Sequence, residues 1–142
     1  MKDKPIGTYK AACKVQGIDP NKFPDFSMFP VHLQKFFIAA IKLAVIFDTI
    51  RKRWEPDWGN AQQEKYYNWF EIVPAKTGSG FVFSITYATG TNATVGAAFA
   101  FETREQAEFA AKQPEILRLY KDFMLLPTKT EQRQMKLNLL LK

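Results

Sequence analysis

The spacing of hydrophobic positions changes along the chain, and each spacing predicts a different element. From Val31 to Arg53 apolar residues recur around most of a helix of about six turns, with Pro30 suited to its first position. On a helical projection Lys35, Lys42, Thr49 and Arg53 form one narrow polar stripe, and Phe36 to Phe47 is otherwise almost entirely apolar. An arc that wide exceeds what one-sided packing needs, so this helix is expected to be central in the fold or shared with a partner. A shorter helix is predicted from Thr8 to Gly17, with Ala11, Ala12 and Val15 on one side and Gly17 as its stop. Between the two, Pro20, Pro24 and Pro30 predict a turn-rich connection that Phe23, Phe26 and Phe29 tack to the core.

After the Pro-, Gly- and Asn-bearing loop from Trp54 to Asn60 the period shortens to two. Tyr66 to Val73 is aromatic-rich. Phe81 to Ala88 sets Phe81, Phe83, Ile85 and Tyr87 against Val82, Ser84 and Thr86, and Thr94 to Phe101 sets Val95, Ala97, Phe99 and Phe101 against small residues. Short connections favour an antiparallel meander of these three strands. Thr103 then reads as an N-cap, and Pro114 splits the helical stretch after it into Arg104 to Lys112 and Pro114 to Leu125, or kinks one helix. Pro127 ends it. Residues from Thr128 to Lys142 fit either a fourth strand or a short helix from Thr130. The expected fold is α+β: a three-stranded, or four-stranded, antiparallel meander packed on a long central helix and a C-terminal kinked or split helix, with residues 1–127 as one domain and 128–142 as a basic apolar tail.

Composition adds constraints. With 142 residues, 46% hydrophobic and 24% charged, the chain is long enough for one core and is neither disordered nor fibrous in character. Aromatic residues reach 15%, so rings supply much of the core. Cys13 is the only cysteine, which excludes an intramolecular disulfide and a cysteine-based zinc site and suits a reducing, cytoplasmic setting. Met1 to Lys14 has no continuous apolar stretch of a secretory signal, so the Asn92-Ala93-Thr94 sequon is expected to be idle. The window from Phe36 to Phe47 is too short to span a bilayer, and no membrane partner is expected. The net charge of +6 is localised: Arg51, Lys52 and Arg53 carry +3, and Lys129, Arg133, Lys136 and Lys142 against Glu131 carry another +3.

Three blocks, Trp54-Glu55-Pro56-Asp57-Trp58, Lys65-Tyr66-Tyr67-Asn68-Trp69-Phe70 and Tyr120-Lys121-Asp122-Phe123, resemble signature blocks of small uncharacterised proteins carried by phages, prophages and mobile elements of gut anaerobes. Asp19-Pro20-Asn21-Lys22 and Pro24-Asp25-Phe26 resemble that family's N-terminal segment. The resemblance extends through Leu126, departs from the pattern at Asn68 and Pro114, and implies an origin without implying a catalytic residue.

Few residues suggest reaction chemistry. His32, the sole histidine, reads as a surface or capping group, and Cys13 as a small buried hydrophobe. Gly78-Ser79-Gly80 lacks the spacing of a phosphate-binding loop and reads as a hairpin turn, as does Gly90 to Gly96. Glu102, Glu105 and Glu108 suit a helix start, and the separation of Glu55 and Asp57 is not legible. No cofactor or metal is implied. The best constellation for binding is Arg51, Lys52, Arg53, Trp54, Trp58, Lys65, Tyr67 and Trp69, in which cations hold phosphates and rings stack on unpaired bases. The competing reading has the three cations offset a helix C-terminus while the tryptophans cap the core. A non-enzymatic binding or interaction protein is therefore expected, with nucleic acid, a protein partner or self-association through the long helix or tail as the partner. An enzyme with an unrecognised carboxylate site, or a structural or virion-associated protein, is the alternative.

Overall fold

The computed structural model describes residues 6–72, 80–91, 96–125 and 129–141. Expectations that fall on Val73, the turn residues 76–79, the sequon at Asn92, the strand start at Thr94 and Val95, Pro127 and Lys142 lie outside the described residues. Within them the fold is α+β, with five helices and one two-stranded antiparallel sheet.

Helix α1, Tyr9–Gln16, forms where expected because its ends are chemically closed. The Thr8 hydroxyl accepts from the Ala11 N–H, and Gly17 turns left-handed at φ 69° so that the last carbonyls find donors. Its buried face, Tyr9, Ala12 and Cys13, meets helix α2, Val31–Ile50. Gln16 ties the two together, its amide reaching Val45 O at 3.2 Å and Thr49 Oγ1 at 2.7 Å. The connecting segment packs its phenylalanines as expected, with Phe26 and Phe29 lying 5.5 and 4.8 Å from the Phe37 ring.

Lys35 is the only exposed residue of α2. Two members of the polar stripe are covered: Lys42 places its ammonium over the rings of Tyr9 and Phe23, and the Thr49 hydroxyl donates to Val45 O. Ala39, Leu43, Ile46 and Phe47 are fully buried, and Phe47 is the hub of the core, with Phe101, Tyr120 and Phe99 rings 4.9, 5.2 and 5.5 Å away. The helix stops three residues before Arg53. Arg53 N–H bonds back to Asp48 O and Lys52 N–H to Thr49 O, a Schellman closure with Lys52 and Arg53 at φ 54° and 60°.

Strands β1, Lys65–Ile72, and β2, Phe81–Thr89, pair antiparallel. Their register slips between Trp69 and Phe70, because Trp69 faces Ile85 while Phe70 faces Phe83, leaving Ser84 as the extra residue of a bulge. One extra residue reverses the faces of everything beyond it. Hence Phe81, Phe83, Ile85 and Tyr87 do not share a face as simple alternation predicts: Phe81 and Phe83 turn to the Phe70 ring, while Ile85 and Tyr87 turn outward.

The third strand expected over Thr94 to Phe101 is absent from the described part of that segment. Gly96, at φ 75°, leads into a 3₁₀ turn, Ala97–Phe99, and only Phe101 makes a bridge, to Tyr66. The Arg51 guanidinium takes the carbonyls of Ala97 and Ala100, and Phe99 is drawn onto Phe123 at 4.7 Å, so the segment wraps the end of α2 instead of joining the sheet.

Helix α3, Arg104–Lys112, starts on a capping box between Thr103 and Gln106 and buries Ala107, Ala110 and Ala111. Gln113 is extended before Pro114, as the proline ring requires, and helix α4, Pro114–Met124, comes next as a separate helix. Its buried face is Ile116, Leu119 and Tyr120. The tail is a helix, α5, Lys129–Leu140, not a fourth strand. It meets the start of α2 across a cavity of about 580 Å³, where Gln132, Lys136 and Leu139 face Phe29, His32 and Gln34.

Candidate functional site

The expected constellation divides into buried fasteners and an exposed ring face. Arg51 is 8% exposed, and its guanidinium bonds Ala97 O, Ala100 O at 3.0 Å and pairs with Asp48 at 3.8 Å. Burial pulls its pKa down, against the opposing pull of Asp48. Its Nε is buried without a hydrogen-bond partner. Lys65 is fully buried: its ammonium donates to Asn60 O at 2.9 Å and Gly90 O at 2.7 Å, and lies 5.4 Å from the centre of the half-buried Trp58 ring. Both cations staple loops to the body, so neither reaches a phosphate in solvent. Trp54 is half-buried beside the turn that ends α2, its N–H donating to Arg51 O. Lys52 and Arg53 are exposed.

Tyr67 and Trp69 lie on the outer face of β1, and pairing with β2 sets Tyr87 and Ile85 opposite them. The Tyr67 and Tyr87 rings are 6.0 Å apart and 26° from parallel, and Trp69 meets Tyr87 edge-on at 5.6 Å. Trp69 is 51% exposed, Ile85 47% and Tyr87 44%. Trp69, Tyr87 and Ile85 with the half-buried Tyr67 beside them make an apolar patch open to solvent. Tyr87 and Ile85 were not among the candidate residues. The period of β2 already put them on one face, but the cross-strand register that joins them to Tyr67 and Trp69 is a non-local fact.

The reverse side of the hairpin is fixed by polar contacts. Asn68 donates to Ala107 O at 2.8 Å and to the Tyr120 hydroxyl at 3.2 Å, and accepts from Thr86 Oγ1 at 2.9 Å, so strands, α3 and α4 share one buried network. Burial holds the Tyr120 phenol well above its ordinary range. Arg104 adds an outer clasp, donating to Thr86 O at 2.6 Å with its guanidinium over the Tyr66 ring. A platform held at this many points keeps its rings in place before any ligand arrives.

Cys13 is buried, and Tyr9, whose pKa is pushed up to about 12 by burial and by its hydrogen bond with Cys13, packs beside it. Among the described residues no group of three or more His, Cys, Asp or Glu is placed to hold a metal, and no helix is long and apolar enough to cross a membrane. No family model matches the sequence, and no match was found among curated proteins or solved structures.

Proposed function

We propose that this chain is a non-enzymatic binding protein that takes single-stranded nucleic acid on the outer face of its β-hairpin. The observation that carries the reading is the row in which a half-buried Tyr67 adjoins the exposed rings of Tyr87 and Trp69. Unpaired bases offer flat π-faces that stack on such rings with little regard to sequence. Charge supports it: the chain is net +6, and Lys52 and Arg53 keep exposed cations available for phosphates, whereas Arg51 and Lys65 do not. A role in a phage or mobile element is proposed on the resemblance of the Trp54 to Trp58, Lys65 to Phe70 and Tyr120 to Phe123 blocks alone.

Fluorescence anisotropy with a labelled oligothymidylate at low and at physiological salt tests the proposal. Binding should fall steeply with salt, as released counterions require. Trp69→Ala and Tyr87→Ala should each cost about 1 to 3 kcal/mol for a lost stacked base. Lys52→Gln with Arg53→Gln should weaken binding and flatten the salt slope. A parent protein that ignores the oligonucleotide at low salt, or a Trp69→Ala variant that binds as the parent does, sinks the proposal.

A further inference from the structure

Strands β1 and β2 carry only two charged residues, Lys65 and Glu71, and use them in opposite ways. The Lys65 ammonium is spent on Asn60 O and Gly90 O, whereas Glu71 is exposed. Glu71 follows Trp69 by two positions on the strand that does not hold the bulge, so it leaves the same outer face about 7 Å further along. Ser84, the extra residue of the bulge in β2, donates its hydroxyl to Glu71 Oε1 at 3.2 Å. That contact orients a carboxylate at the Trp69 end of the ring row.

We infer that Glu71 makes the hairpin face prefer guanine as the base stacked on Trp69, an inference that rests on the nucleic-acid reading above. A carboxylate beside the platform repels phosphates and so gives nothing to nonspecific binding. What it offers is two oxygens that accept and never donate, and Oε1 keeps a second lone pair after taking the Ser84 hydroxyl. The Watson–Crick edge of guanine sets two donors side by side, N1–H and the N2 amino group, which match a carboxylate as a bidentate pair. Adenine and cytosine put a ring-nitrogen lone pair beside their one amino group, and thymine flanks its one N–H with carbonyls. Each of those three bases therefore turns a lone pair toward an oxygen of Glu71.

The test is an anisotropy titration of the full chain with labelled oligothymidylates that differ at one central position. Guanine there should tighten binding about tenfold or more over adenine, cytosine or thymine. Inosine, which lacks the N2 amino group, should lose most of that gain. Glu71→Gln removes a negative charge and an acceptor, so it should bind the all-thymine strand at least as tightly as the parent while losing the guanine preference. A purely electrostatic role would raise affinity for every strand and leave the ratio unchanged. The variant should keep the parent's urea midpoint, because Glu71 is exposed. Free guanosine monophosphate at the strand's concentration should not displace it, since it brings no second base to Tyr67 and Tyr87; displacement would assign the site to a free nucleotide and overturn the inference. A parent that binds thymidylate without preferring guanine, or a Glu71→Gln variant that keeps the preference, overturns it and leaves the stacking face standing. A parent that binds no strand at low salt removes both.

Discussion

Asn68, 4% exposed, spends its polar capacity inside the protein on Ala107, Tyr120 and Thr86. Asn68→Leu is nearly the same size but leaves a buried carbonyl and two hydroxyls without that partner, and each such group costs about 1 to 3 kcal/mol. Urea unfolding should show a loss of about 3 kcal/mol or more, with partial recovery in Asn68→Leu/Thr86→Val; a loss under about 1 kcal/mol would mean the network is loose. Lys52 makes the opposite case, since it occupies at φ 54° a helix-ending position that glycine fills without a Cβ penalty. Lys52→Gly should raise stability by about 1 kcal/mol, and an unchanged or lower urea midpoint would contradict the strain. The buried phenols give a pH window. Tyr9 is pushed up to about 12 and Tyr120 is raised by burial, so both folded pKa values lie above the unfolded one. Their contribution is fully present below about pH 10, and is lost as pH rises and the unfolded chain releases protons that the folded chain retains. The urea midpoint should be flat to about pH 10 and then fall, more gently in Tyr9→Phe/Tyr120→Phe; identical profiles would remove these phenols as the cause.

Among the elements α2 bears the core, and Leu43 lies fully buried on it. Leu43→Ala should cost about 2 to 5 kcal/mol by lost transfer energy and a residual cavity, and a smaller change in urea unfolding would show that the helix interior re-packs freely. Which elements were legible depends on where their determinants lie. The caps at Thr8, Gly17 and Thr103 and the break at Pro114 act within one helical turn, so the helices they bound could be read from local residues. The missed features depend on distant partners. Nothing near Ser84 announces a bulge, because the slip is decided by how Phe81 and Phe83 meet Phe70. The segment from Gly96 to Phe101 has a strand's alternation, but Arg51, far away in sequence, claims its carbonyls. The same limit governed the candidate face: Tyr67 and Trp69 could be named from an aromatic run, whereas Tyr87 and Ile85 joined them only through cross-strand register. Arg51 and Lys65 looked like solvent cations because residue type reveals charge and not the carbonyls waiting for it.

At the scale of the whole molecule, the division between body and tail is open to a direct measurement. Among the described residues the core, from Tyr9 and Cys13 through Phe47 to Phe101 and Tyr120, is made before residue 126. Helix α5 adds no buried side chain, and its contact with the body surrounds a cavity instead of filling one. Removing residues 129–142 therefore takes away four cations, one acid and the exposed leucines, but almost none of the apolar surface whose burial holds the fold. The truncated chain should unfold in one cooperative step with a melting temperature within about 2 °C of the parent, the shift expected for changes at a surface. Its net charge falls from +6 to +3, so nonspecific attraction to polyanions at low salt should weaken while the effect of Trp69→Ala on oligonucleotide binding persists. A broad or much lower transition in calorimetry would show instead that α5 closes the core over Phe29 and His32, and the tail would then belong to the domain.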